Sequence, residues 1–292
     1  MKKERQAVIL AHYYVDGAVQ EIADYVGDSF YLSRLAVDLP QETILFCGVS
    51  FMGESAKILS PEKTVLLPDK TADCPMARMG TVEEIQNVQS TYPDLATVCY
   101  INSTAALKAQ ADVCVTSSNA LKIIRQLPQQ FIYFIPDQHL GRYIAGLIPE
   151  KTFIYGDGFC YVHTSITREA LEGTKRQNPQ AITLAHPECP NNILDLADYI
   201  GSTSSLIKYA SQSDEKEFII CTEPGVLHPL KKNNPDKLFY QVPSALPCQD
   251  MKKINLEKII FSLETMANQV EVEESARMKA LKPLSKMLEL SL

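Results

Sequence analysis

The sequence predicts an α/β protein made of three repeated three-layer αβα domains with parallel sheets, arranged about a pseudo-threefold axis. Three observations support this. A segment near the start recurs late in the chain, strand-like and helix-like runs alternate within each copy, and one cysteine falls at a matching place in each copy.

The repeat is clearest between Ala11 to Ala36 and Ala185 to Ala210, an offset of 174 with 8 of 26 positions identical. His12, Asp24, Tyr25 and Gly27 recur as His186, Asp198, Tyr199 and Gly201. A fainter copy lies between them. An offset of 88 carries His12 to Tyr100, Tyr14 to Asn102, Asp24 to Asp112 and Ser29 to Ser117. A further 86 carries these to His186, Glu188, Asp198 and Thr203. The same two offsets relate Pro61-Glu62-Lys63, Pro149-Glu150-Lys151 and Pro235-Asp236-Lys237.

In the middle copy, residues 97–101 form a short apolar, β-prone run and 105–111 read as helix. Residues 112–116 form a second β run, 117–127 a helix, 131–135 a strand, 139–147 a helix and 152–155 a strand. Such alternation implies parallel strands joined by right-handed crossovers. The domains are expected at 1–80, 81–168 and 169–250, with 251–292 forming closing helices that join the first.

Composition sets bounds on function. The chain has 292 residues, 46% hydrophobic and 22% charged, with a formal net charge of −7. There is no basic footprint for nucleic acid. No run reaches the roughly 18 apolar residues of a membrane span. The N-terminal apolar run is too short for a secretory signal, so the cytoplasm is expected. The eight cysteines are then not expected in structural disulfides. No Cys-x-x-Cys occurs, which speaks against a zinc ribbon or a thioredoxin-like site.

Ligands of open parallel sheets bind beyond the carboxyl ends of the strands. The repeat register puts unusual residues there. His12 and Tyr14, Tyr100 and Asn102, and His186 and Glu188 follow the first strand of each copy. Ser29, Ser117 and Thr203 follow the second, where a hydroxyl can cap a helix or help its N-terminus hold an anion. Cys74, Cys160 and Cys248 follow the last. Three converging thiolates make a metal site with one open position, suited to zinc or an iron–sulfur cluster. Cys47, Cys99, Cys114, Cys189 and Cys221 lie in or beside apolar runs and read mainly as buried small hydrophobes. His139, His163 and His228 read as structural or supporting, and Glu271 to Glu274 as a solvated helix face.

With those residues in place, the sequence resembles the quinolinate synthase family over essentially its whole length. The resemblance rests on Ala11-His12-Tyr13-Tyr14, Gly27-Asp28-Ser29, Asp73-Cys74-Pro75-Met76-Ala77, Tyr100-Ile101-Asn102-Ser103 and Thr116-Ser117-Ser118-Asn119-Ala120. It continues in Cys160-Tyr161-Val162-His163, His186-Pro187-Glu188-Cys189-Pro190 and Gly201-Ser202-Thr203. It implies condensation of iminoaspartate with dihydroxyacetone phosphate to give quinolinate, phosphate and two waters, for NAD synthesis. It also implies one [4Fe–4S] cluster held by Cys74, Cys160 and Cys248. His12, Ser29, Tyr100, Asn102, Ser117, His186, Glu188 and Thr203 would line the substrate site, with His12, Tyr14 and Glu188 as catalytic residues. Coupling to the aspartate-oxidising enzyme that supplies the imine follows from the same resemblance. The chain departs from many members in having Tyr155-Gly156 and no tryptophan before Cys160.

Overall fold

Runs of apolar, largely β-branched residues become strands buried on both faces, as parallel sheets require. The strand Ala7–His12 is buried at every residue, as is Thr43–Cys47. The computed structural model describes residues 1–292 and contains three four-stranded parallel sheets. The first holds β1 (Ala7–His12), β2 (Tyr25–Gly27), β3 (Thr43–Cys47) and β4 (Thr64–Leu66). The second holds β5 (Leu95–Tyr100), β6 (Val113–Val115), β7 (Phe131–Ile135) and β8 (Thr152–Tyr155). The third holds β9 (Ile182–Ala185), β10 (Tyr199–Ile200), β11 (Glu217–Cys221) and β12 (Leu238–Gln241). Each has the strand order second, first, third, fourth. The triplicated αβα fold expected from the sequence is therefore present.

Two of the repeated sequence marks have a structural cause. Asp24, Asp112 and Asp198 each begin the approach to the second strand of their sheet. Each carboxylate accepts the amide of a first-strand residue: Ile9 at 2.9 Å, Thr97 at 2.8 Å and Thr183 at 2.7 Å. Each aspartate's own amide donates to the carbonyl of that same residue at 2.9 Å. The aspartate thus pins the edge strand in register. Lys63, Lys151 and Lys237 donate to the carbonyls that end the second helix of each copy. Lys63 reaches Ala36 at 2.8 Å, Lys151 reaches Leu127 at 2.7 Å and Lys237 reaches Ala210 at 2.7 Å. A cation at a helix C-terminus satisfies carbonyls that have no amide partner and faces the negative end of the helix dipole.

Helices are shorter than the periodicity suggests. The run 117–127 becomes helical only at Ala120–Gln126, because the Asn119 side chain accepts the Thr116 amide at 2.6 Å and holds a turn. The run 105–111 shrinks to one turn, Ala105–Lys108.

The apolar core is continuous across the first two sheets, in one cluster of 54 residues that includes the C-terminal helices. Of these helices, Leu256–Thr265 packs on β3, and the segment after it pairs with the first sheet through the Val270 amide and the Val65 carbonyl, 2.8 Å apart. The last helix, Glu274–Leu290, packs on β6 and on the helices Ala105–Lys108 and Ser50–Leu59, so it joins the first sheet to the second. The third sheet has separate clusters of 11 and 9 residues, one on each face.

Lys63 is buried and its ammonium bonds only to carbonyls. Lys63→Met keeps the length of the side chain and removes those bonds. Losing charge-assisted hydrogen bonds of this kind is expected to cost about 2 kcal/mol. Urea unfolding with and without the substitution checks this, and Lys237→Met, at a less buried position, should cost less.

Candidate active site and metal centre

The carboxyl ends of all three sheets open onto one cleft of about 680 Å³. His12, Tyr14, Ser29 and Cys74 reach it from the first domain, Tyr100, Asn102, Ser117, Cys160 and His163 from the second, and His186, Glu188, Thr203 and Cys248 from the third. No lysine or arginine lines it. An anion in this cleft must therefore be held by neutral donors, helix N-termini or a metal.

The two histidines are presented by the same turn. The Tyr14 amide donates to His12 Nδ1 at 3.2 Å and the Glu188 amide to His186 Nδ1 at 3.3 Å. With Nδ1 accepting, the neutral ring carries its hydrogen on Nε2. His186 Nε2 meets the Ser117 hydroxyl at 3.2 Å. Burial pulls both rings down to about 3, against the opposing charge of Glu188. Both are therefore neutral N–H donors at any ordinary pH.

The repeated hydroxyls are not the helix caps. Asp28 caps the helix Ser29–Asp38 by accepting the Tyr31 amide, and Ser202 caps Thr203–Gln212 by accepting the Ser205 amide. Ser29 and Thr203 occupy the first helical turn, which leaves their hydroxyls to the cleft. The buried side-chain oxygen of Asn102 has no partner within the protein.

Glu188 is buried at the centre. Tyr100 donates its hydroxyl to Oε1, and His163 Nδ1 lies 2.9 Å from Oε2, off the line of its N–H. Burial pushes the carboxyl up, but His163, His186 and the Tyr100 hydroxyl outweigh it and bring it to about 2. From His163 a chain of contacts crosses the domains. His163 Nε2 meets the Thr222 hydroxyl at 3.0 Å, Thr222 meets the Tyr14 hydroxyl at 3.1 Å, and Tyr14 meets Thr203 at 3.0 Å. Burial and the Glu188 charge push the Tyr14 phenol well above its usual range, so it stays protonated.

His163 and Thr222 were not legible as site residues. His163 reads alone as structural, yet it stacks on His186 with ring centroids 4.6 Å apart and contacts Glu188. Its placement one helical turn after Cys160 was the available signal. Thr222 follows β11 and carries no motif of its own.

All eight cysteines are free. Five are fully buried, whereas Cys74, Cys160 and Cys248 are part-exposed and line the cleft. Burial pushes their thiols up, and the thiols also act on one another: Cys248 raises Cys74, and Cys74 raises Cys160. Mutual proximity at the edge of a cleft suits a group that takes three thiolates. A second arrangement is present. Donor atoms of Cys160, His163 and Glu188 all lie within 4.8 Å of one another. In that set His163 and Glu188 face each other and are engaged with Thr222 and Tyr100, which leaves Cys160 as the uncommitted donor.

Comparison with known proteins follows the same line. The family model for quinolinate synthetase A protein matches residues 1–289. The quinolinate synthase of Caldicellulosiruptor bescii is 50% identical over 290 residues, covering 99% of this chain and 96% of that protein. The quinolinate synthase of Clostridioides difficile is 51% identical over 291 residues, covering 100% and 96%. Quinolinate synthase 2 of Methanosarcina acetivorans is 47% identical over 291 residues, covering 100% and 94%. No helix of the chain is long and apolar enough to cross a membrane.

The electrostatics predict a pH dependence with two windows. The neutral His12 and His186 rings contribute stability that is complete above about pH 6.5 and is lost as the pH falls towards 3, because the unfolded chain takes up the protons first. Glu188, lowered from 4.5, contributes stability present above pH 4.5 and lost as the pH falls towards 2. The melting temperature should therefore already decline below pH 6.5. Substituting both histidines by glutamine should flatten the slope between pH 6.5 and 4.5, and an unchanged slope would refute the assignment.

Proposed function

The chain belongs to the quinolinate synthetase A family of enzymes, and from that membership we propose that it condenses iminoaspartate with dihydroxyacetone phosphate to form quinolinate. Phosphate and two waters leave, and the product feeds NAD synthesis. The observation that supports the reading best is the cleft itself, where neutral donors, three reachable thiols and the buried Glu188 carboxylate converge without a lysine or arginine. Iminoaspartate hydrolyses in water, so an aspartate-oxidising enzyme working alongside is the natural source. A cytoplasmic setting would keep the eight thiols reduced.

We assign Cys74, Cys160 and Cys248 as the residues that hold a [4Fe–4S] cluster. When bound, that group supplies an iron without a protein thiolate, which acts as a Lewis acid towards oxygen and nitrogen of the substrate. The competing single-ion set, Cys160, His163 and Glu188, would require breaking the contacts that keep Glu188 ionised.

The chain's own residues take the remaining roles. The Nε2–H groups of His12 and His186 donate to substrate carboxylates or phosphate. The Ser29, Ser117 and Thr203 hydroxyls, with helix N-termini behind Ser29 and Thr203, add further donors. The Asn102 Oδ1 is free to accept from a substrate hydroxyl or N–H. Glu188 enters the reaction ionised, so it accepts a proton rather than supplying one. A substrate that draws away the Tyr100 or His163 contact raises its basicity when it is needed. Tyr14 is protonated and placed to donate. Hydrogen bonds run from Tyr14 through Thr222 to His163 Nε2, and a realignment of the His163 ring, whose Nδ1 lies 2.9 Å from Glu188 Oε2, would complete a path for the proton's return.

Anaerobically purified protein should carry about four iron and four sulfide per chain. A single zinc or iron would favour the Cys160, His163 and Glu188 set instead. Cys74→Ser should lose both cluster and activity. Glu188→Gln should keep the cluster and lose at least a hundredfold in quinolinate formation, the scale of a general base. Full activity in that variant removes Glu188 from the mechanism.

A further inference from the structure

One repeat position gained no role from the sequence. It is the second residue after the third strand of each sheet, occupied by Val49, Asp137 and Glu223 at the familiar offsets of 88 and 86. Asp137 and Glu223 are fully buried. Glu223 Oε1 accepts the Cys248 amide at 3.1 Å, while Oε2 accepts the Gly225 amide. Its counter-charge is Lys252, 3.4 Å away, whose ammonium also donates to the Tyr14 carbonyl at 2.8 Å. Asp137 Oδ1 accepts the Leu140 amide at 2.7 Å, its Oδ2 has no partner within the protein, and its backbone bridges to Gly158, two residues before Cys160. In the first domain Val49 cannot do this. Asp73 substitutes, accepting the Cys74 amide at 2.8 Å and the hydroxyl of Ser50, the residue after Val49. Each domain therefore sets one carboxyl behind its cysteine loop, and in the first and third domains that carboxyl accepts the cysteine's own amide.

We infer that Asp73, Asp137 and Glu223 are positioning residues that hold the three cysteine loops in place before metal arrives. The inference rests on the three-cysteine reading above. Electrostatics alone would not select this arrangement, since an anion beside a thiol opposes thiolate formation; Glu223 raises Cys248 and Asp137 raises Cys160. The benefit is geometric. At Cys74 and Cys248 an acceptor on the cysteine amide fixes the backbone from which the sulfur projects, at Cys160 the Asp137 backbone bridge to Gly158 holds the loop, and outer partners of this kind are commonly worth ten- to a hundredfold in metal affinity. Glu223 does more than the other two. Through Lys252 it ties the Cys248 loop to the turn that carries Tyr14, so one half-buried ion pair links the loop of a third-domain thiol to the turn of a first-domain phenol.

The test compares anaerobically reconstituted wild type with Glu223→Ala, Glu223→Gln, Asp137→Ala and Asp112→Ala. Asp112 pins a strand edge and touches no cysteine loop, so its variant controls for general loss of stability. Two quantities are read for each: the melting temperature of the metal-free chain and the rate at which iron passes to a chelator. Glu223→Ala and Asp137→Ala should release iron at least tenfold faster than wild type, and Asp112→Ala at the wild-type rate. Glu223→Gln keeps one acceptor for the Cys248 amide and should fall between. If the alanine variants shed iron no faster than Asp112→Ala at a matched loss of melting temperature, the positioning role is wrong. A wild-type chain that takes up no iron overturns the three-cysteine reading itself, a result separable from the first.

Discussion

A carboxylate removed from water must be compensated, and the Tyr100 hydroxyl and the His163 ring that face Glu188 both come from outside its own domain. Tyr100 and His163 come from the second domain, and the chain beyond His163 continues through Thr222 of the third to Tyr14 of the first. None of these contacts forms within one repeat. A single αβα unit would leave the charge unpaired, so the ionised state of Glu188 depends on the domains closing on one another. The same closure brings the three part-exposed thiols to one cleft.

The cleft handles negative charge without fixed positive charge. Burial keeps the histidines neutral, and the turn that engages Nδ1 aims Nε2–H inwards. The residue before each hydroxyl does the capping at Ser29 and Thr203, so the hydroxyl itself faces the cleft, where that of Thr203 meets Tyr14. Neutral donors release anions more readily than arginine pairs would, which suits an enzyme proposed to expel phosphate and a dicarboxylate product. The buried carboxyls of Asp137 and Glu223 serve a different end, accepting backbone amides that hold their loops in place.

Much of the fold was legible because repetition amplifies weak signals. A lone aspartate or lysine says little, but Asp24, Asp112 and Asp198, and Lys63, Lys151 and Lys237, each recur because the same bond has to be made three times. Helix ends were less legible. The Asn119 bond to the Thr116 amide delays a helix that periodicity alone would start at Ser117. The destination of the last helix was equally hidden, since an amphipathic pattern shows that a face is buried and not which sheets bury it.

Residue order alone dictates the parallel αβα architecture, its three copies and the strand ends where His12, Tyr14, Tyr100, Asn102, His186 and Glu188 must emerge. Periodicity and register act along the chain, and a strand's direction decides which end faces the ligand. That His163 and Thr222 lie between Tyr14 and Glu188, that burial keeps His12 and His186 neutral, and that Asp137 and Glu223 stand behind the cysteine loops follows from packing. Those properties depend on desolvation and on contacts between residues far apart in the chain, and both exist only after the three domains have packed.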